Sequence, residues 1–115
     1  MLFWILEIEK LSAMKVDRWN PEQDGPLDEA AFRQKLESTG YSVSRYIYAP
    51  GTYFPMHTHE ADKIDAVVSG HFRVTMGQEE MLLGAGDAVH VPKGVEHSAE
   101  VVGDEAVMSL DAVRK

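Results

Sequence analysis

The sequence predicts an all-β sandwich or barrel preceded by one short N-terminal helix, and three observations carry that prediction. From Tyr41 onward, apolar and polar residues alternate in short runs, the pattern of strands with one buried face. Turn signals separate those runs: Pro50-Gly51, Gly77-Gln78, Gly84-Ala85-Gly86-Asp87, Pro92-Lys93-Gly94 and Gly103-Asp104. Helical spacing is convincing only once, ahead of Gly40.

In order along the chain, residues 2–8 are apolar and β-prone, and suit either an edge strand or arm that docks on a second subunit or a flexible extension. Asn20 to Pro26 is rich in Pro, Gly, Asn and Asp and reads as a loop. The helix runs from Asp28 towards Gly40, with acidic residues in its first turn, Phe32 and Leu36 one turn apart, and the glycine as a stop. Strands are expected at residues 42–48, 52–55, 57–69, 71–76, 80–83, 88–91, 96–102 and 106–110. In residues 71–76, Phe72, Val74 and Met76 alternate with His71, Arg73 and Thr75.

The 115 residues allow one domain, divided here into an arm and helix over 1–40 and a β-barrel over 41–115. With 44% hydrophobic and 26% charged residues, the composition is that of a globular chain. A formal net charge of -8 argues against a nucleic-acid partner, because binding phosphates needs a basic face. The absence of cysteine removes disulfides, thiolate ligands and a thiol nucleophile, so any metal must be held by nitrogen and oxygen. The first apolar run has no basic residue before it and is interrupted by Glu7 and Glu9, so it is read neither as a secretory signal nor as a membrane span. The expected location is cytoplasmic, and Met14 is as good a start as Met1.

The chemistry concentrates between Gly51 and Gly70. His57 and His59 are two residues apart, and in an extended strand such residues share a face, about 6–7 Å apart at the backbone. His97 follows the Pro92-Lys93-Gly94 turn, and if the two segments pair, three imidazoles meet. Lys63 and Asp65 share a strand face by the same rule and face the histidines, so an interior ion pair between them is expected. Glu60 and Asp62 are close enough to serve as substitute ligands if the strand carries a bulge. His90 lies between Val89 and Val91 and points outward, and His71 is solvated. Tyr46, Tyr48, Tyr53 and Phe54 are candidates for a pocket wall, with simple packing as the alternative.

These residues stand in an arrangement that resembles the cupin superfamily over residues 41–111. The family's first motif is glycine, five residues, His-X-His, three or four residues, Glu, six residues and glycine, and here it reads Gly51, His57-Thr58-His59, Lys63, Gly70. The second, glycine, five residues, Pro-X-Gly, two residues, His, three residues and Asn, reads Gly86, Pro92-Lys93-Gly94, His97 and Val101. The resemblance implies an antiparallel jelly-roll (double-stranded β-helix) barrel, commonly a homodimer, with a divalent transition metal in its mouth. His57, His59 and His97 are the ligands that carry over, and Fe, Mn, Ni, Cu or Zn suits three imidazoles. The family's glutamate does not carry over, since Lys63 holds its place. The implied activity is of the dioxygenase or isomerase type on a small anionic organic substrate, with Lys63, helped by Asp65, as clamp or base. The alternative is a non-catalytic barrel in which Lys63 anchors a small acidic or aromatic ligand.

Overall fold

The structure, a computed structural model, describes residues 14–115. The arm expected at residues 2–8 lies outside the described residues. The elements are β1 (Val16–Arg18), α1 (Pro21–Asp24), α2 (Glu29–Glu37), β2 (Tyr41–Tyr48), β3 (Tyr53–His57), β4 (Lys63–Ser69), β5 (His71–Met76), β6 (Glu79–Leu83), β7 (Asp87–Val91), β8 (His97–Val102) and β9 (Val107–Arg114). They form a five-stranded sheet, β1-β7-β4-β9-β2, and a four-stranded sheet, β3-β8-β5-β6. Neighbouring strands pair antiparallel throughout. This is the expected jelly roll.

Two apolar layers hold it together. Between the sheets pack Val67, Phe72, Val74, Leu83, Val89, Val91, Val101 and Val107, each at most 3% exposed. On the outer face of the five-stranded sheet, α2 lays Phe32 and Leu36 over Tyr41, Ile64, Ala66, Ala88, Leu110 and Ala112. The central strands β4 and β7 are therefore buried on both faces, which explains their nearly continuous apolar runs. α2 starts where the Asp28 side chain accepts from the Ala31 N–H at 2.8 Å, an N-cap that satisfies an otherwise unpaired helix donor.

Two elements were not expected. β1 is three residues long and owes its existence to the edge of β7, with Val16 opposite Val89. α1 is a four-residue turn capped by Asn20 with Pro21 as its first residue. The Asn-Pro start that reads as a loop is also a helix start, and four residues are too few to show a period.

The long strand expected at 57–69 is in fact split. His57 ends β3, residues 58–62 belong to no strand, and β4 opens at Lys63. The register of β3 on β8 shifts between Phe54 (opposite Ala99) and His57 (opposite His97), so β3 carries one extra residue there. Pro55 lies in that shift, on an edge strand, where a missing N–H costs no ladder bond. The bulge turns His57 to face His97 across the pair.

Candidate functional site

Three imidazoles meet at one end of the barrel interior. Ring centroids lie 4.2 Å apart for His57 and His97, 4.8 Å for His57 and His59, and 4.9 Å for His59 and His97. One ring nitrogen from each falls within 4.8 Å of the others, and among the described residues this is the cluster of metal-ligating side chains. His57 and His97 arrive from facing strands. His59 does not share His57's strand, contrary to the i,i+2 expectation. It comes from the irregular segment after β3, whose backbone is fixed by a hydrogen bond from the Gly94 N–H to the His59 carbonyl, 2.9 Å. The two histidine-bearing segments are thus stitched together directly beside the rings.

Local hydrogen bonds set the tautomers. Nδ1 of His57 lies 2.6 Å from the Pro55 carbonyl, and Nδ1 of His97 lies 3.1 Å from the Val95 carbonyl. A carbonyl oxygen can only accept, so both Nδ1 atoms carry the proton and both Nε2 atoms keep a free lone pair. Burial, helped by the Lys63 ammonium and the neighbouring rings, pushes His59 down to about 4. His97, only 2% exposed, is also lowered, chiefly by burial, against the opposing effect of the Val95 carbonyl. Both are neutral near pH 7, the form in which imidazole offers an electron pair.

The wall opposite the histidines is acidic and was only partly foreseen. A cavity of about 180 Å³ runs from the three rings to Lys63 and Asp65 on β4, Asp111 on β9 and Tyr48 on β2. Lys63 finds its carboxylate on Asp111, with Nζ and Oδ2 3.9 Å apart, and not on Asp65 as expected. Tyr48 donates its hydroxyl to Asp111 Oδ2 at 3.1 Å, and Ser109 donates to Oδ1 at 2.7 Å. Burial, then the Asp111 carboxylate, raises the Tyr48 phenol, so it remains a donor. Asp65 stands opposite Asp111 in the β4–β9 register. Desolvation and that like charge push Asp65 up to about 6, against the pull of Lys63 and His57.

Asp111 was missed because the last strand was expected to end at Leu110. On β9 the inward residues Ser109 and Asp111 are polar while Leu110 and Ala112 pack outward beneath α2, so apolar alternation points to the wrong face. Of the aromatic candidates, Tyr48 and Phe54 line the cavity together with Phe72, which was not foreseen, while Tyr46 and Tyr53 are 49% and 59% exposed. Asp62 is exposed and accepts from the Lys93 N–H at 2.8 Å, and Glu60 is exposed, so neither joins the rings. His90 points outward as expected, with Nε2 2.8 Å from Asp17, and His71 is exposed.

Comparison with known proteins agrees with this arrangement. An uncharacterized Streptomyces coelicolor protein, SCO3923, is 28% identical over 95 residues, covering 83% of this chain and 89% of the relative. The DMSP lyase DddQ of Ruegeria pomeroyi superposes with a TM-score of 0.60 at 28% identity, over 66% of this chain and 39% of the lyase. Acireductone dioxygenase of Bacillus anthracis, a structure with a cadmium ion in its active centre, superposes with a TM-score of 0.71 over 100% of this chain and 86% of its own. At 17% identity that likeness speaks to the fold alone. Residues 44–113 match the Cupin_2 family, the cupin domain. That span contains every residue of the three-ring cluster and of the acidic wall, and with both sheets of the jelly roll in place, this chain belongs to the cupin family.

Proposed function

We propose that this cupin is a small metal-dependent enzyme in which His57, His59 and His97 hold a divalent transition metal. The observation that carries the reading is the convergence of three rings, two of them locked with Nε2 free, at one end of the barrel cavity. The donor set suits Fe, Mn, Ni, Cu or Zn, and no thiolate is present to narrow it. Bound there, the metal supplies a Lewis acid that polarises and orients a substrate oxygen. With three neutral ligands and a lysine in place of the family glutamate, its affinity is expected to be lower than that of a four-ligand site.

The remaining work falls to the protein's own side chains. Tyr48, Phe54 and Phe72 form an aromatic wall, with Tyr48 and Phe54 centroids 4.8 Å apart, that excludes water from one side of a small substrate. Lys63 faces the cavity as a cation for an anionic group, held in place by Asp111. Asp65, raised to about 6, is suited to accept a proton near neutral pH and to return it. The reaction fits the dioxygenase or isomerase type on a small organic anion, in a cytoplasmic homodimer. One solved relative by structure, at 28% identity, is named as a lyase, which supports enzymatic use of such a barrel.

A non-catalytic barrel that anchors an acidic ligand on Lys63 is the second reading, since Lys63 does line the cavity. Its weakness is Asp111, which already supplies the countercharge that a ligand would bring. Elemental analysis separates the two. Protein purified without added metal or chelator should carry close to one transition-metal ion per chain, and His57→Ala or His97→Ala should remove it. Metal-free protein that instead retains an endogenous acid through dialysis would favour the second reading.

A further inference from the structure

A hollow larger than the one at the three histidines lies outside the barrel. Between α2, the segment around β1 and the outer face of the five-stranded sheet is a cavity of about 420 Å³, against about 180 Å³ at the three histidines. Its floor is apolar, made by Phe32, Leu36, Tyr41, Ile64 and Ala88, with Trp19 as a wall. That size and lining fall within the range of small-molecule sites. The wall is built in advance. The Trp19 indole donates to the Gly25 carbonyl at 2.8 Å, its backbone N–H donates to the Gly86 carbonyl at 2.8 Å, and a Cβ at Gly86 would come within 2.9 Å of Trp19 Cβ.

The charge around this hollow runs against the rest of the molecule. The chain has 11 basic and 19 acidic residues, yet Lys15, Arg18, Lys35 and Arg114 all line the cavity with one carboxylate, Asp17, among them. Arg18 is paired with Asp87 at 3.0 Å, Lys35 with Asp24 at 2.8 Å, and Asp17 is engaged by His90. Lys15 and Arg114 have no carboxylate within ion-pair distance among the described residues. They flank the floor from two sides. The Lys15 carbonyl accepts from His90, which is opposite Ile64, while Arg114 is opposite Tyr41 and lies 5.5 Å from its ring centroid.

We infer that this outer cavity is a second ligand site, taking a small amphipathic acid whose flat apolar body lies on the Trp19–Leu36–Ile64 surface while Lys15 and Arg114 hold its anionic head. A charged head between two cations gains charge-assisted contacts, and an apolar body gains by leaving water. The site stands on residues separate from the histidine cluster, so it does not depend on the metal reading.

The probe is 8-anilinonaphthalene-1-sulfonate, with neutral N-phenyl-1-naphthylamine as the same body without a charge. The sulfonate's fluorescence should rise to saturation at one molecule per chain in the full-length protein, and the neutral compound should bind more weakly. Lys15→Gln and Arg114→Gln should each weaken the sulfonate about tenfold and leave the neutral compound unchanged, with circular dichroism confirming the fold. Added Zn should not displace it. Equal affinity for both probes, indifference to the double substitution, displacement by Zn, or binding only after removal of residues 1–13 would each overturn the assignment.

Discussion

Asp65 and Asp111 face each other across β4 and β9, and like charges directly opposite on neighbouring strands repel. Lys63 and the hydroxyls of Tyr48 and Ser109 all act on Asp111, so the unfavourable charge is left on Asp65. A carboxyl whose folded pKa is raised from 3.8 to about 6 binds more protons in the folded than in the unfolded state between those values, and its contribution to stability is lost as pH rises through that window. Asp65→Asn should therefore stabilise the metal-free protein at pH 7 by on the order of 1–2 kcal/mol, with the gain vanishing near pH 4, as read from urea unfolding at the two pH values. His59 acts with the opposite sign. Lowered to about 4 from 6.5, it takes up its proton first in the unfolded chain, so stability falls as pH drops from 6.5 towards 4. His59→Gln should flatten that acid limb. An unchanged limb would mean that another group governs it.

At the scale of elements, the turns rather than the strands hold the site in place. Gly70 joins β4 to β5 at φ +84, and a Cβ there would fall 2.5 Å from the Ala106 carbonyl oxygen, a backbone atom that cannot move aside cheaply. Gly51, at φ +82, has nothing within 4 Å. Gly51→Ala should cost about 1–2 kcal/mol, the left-handed penalty alone, whereas Gly70→Ala should cost more than about 3 kcal/mol, measured by chemical unfolding. Equal costs would show that the β4–β5 turn yields. These glycines also explain what could be read in advance. Gly and Pro mark turns by residue type, so an all-β architecture and the helix were legible, and the same residues with the three histidines carried the cupin resemblance that implied the jelly roll and the ring cluster. The strand arithmetic around them was not. A bulge at Pro55 and an irregular segment at 58–62 do by tertiary pairing what an extended strand was expected to do, and no local spacing reveals which strand will sit opposite. Asp111 was hidden for the same reason, because β9 turns a polar face inward where the apolar pattern marks the other side.

For the whole molecule, the proposed metal site would link metal binding to folding through Lys63, which stands where the cupin motif has glutamate. The side chains of Lys63 and Asp111 are 15% and 16% exposed and offset each other's charge inside the barrel. With metal in the proposed site, the same ammonium would face a cation held by three neutral rings. Lys63→Glu should shift both states in opposite directions. The metal-free protein loses a partly buried pair and gains a third carboxylate beside Asp65 and Asp111, at a cost on the order of 3 kcal/mol. A metal-loaded protein would gain the anionic ligand of the cupin motif. Any ion that binds only the folded state adds stability in proportion to the logarithm of its concentration over Kd, about 2.7 kcal/mol at a hundredfold excess. Thermal unfolding against Zn concentration should therefore show a rising Tm for the wild type, no rise for the His57→Ala, His97→Ala double variant, and for Lys63→Glu a lower starting Tm with a larger rise. If Lys63→Glu rises no more than the wild type, the side chain at 63 is out of reach of the ion, and the acidic wall must then serve the substrate alone.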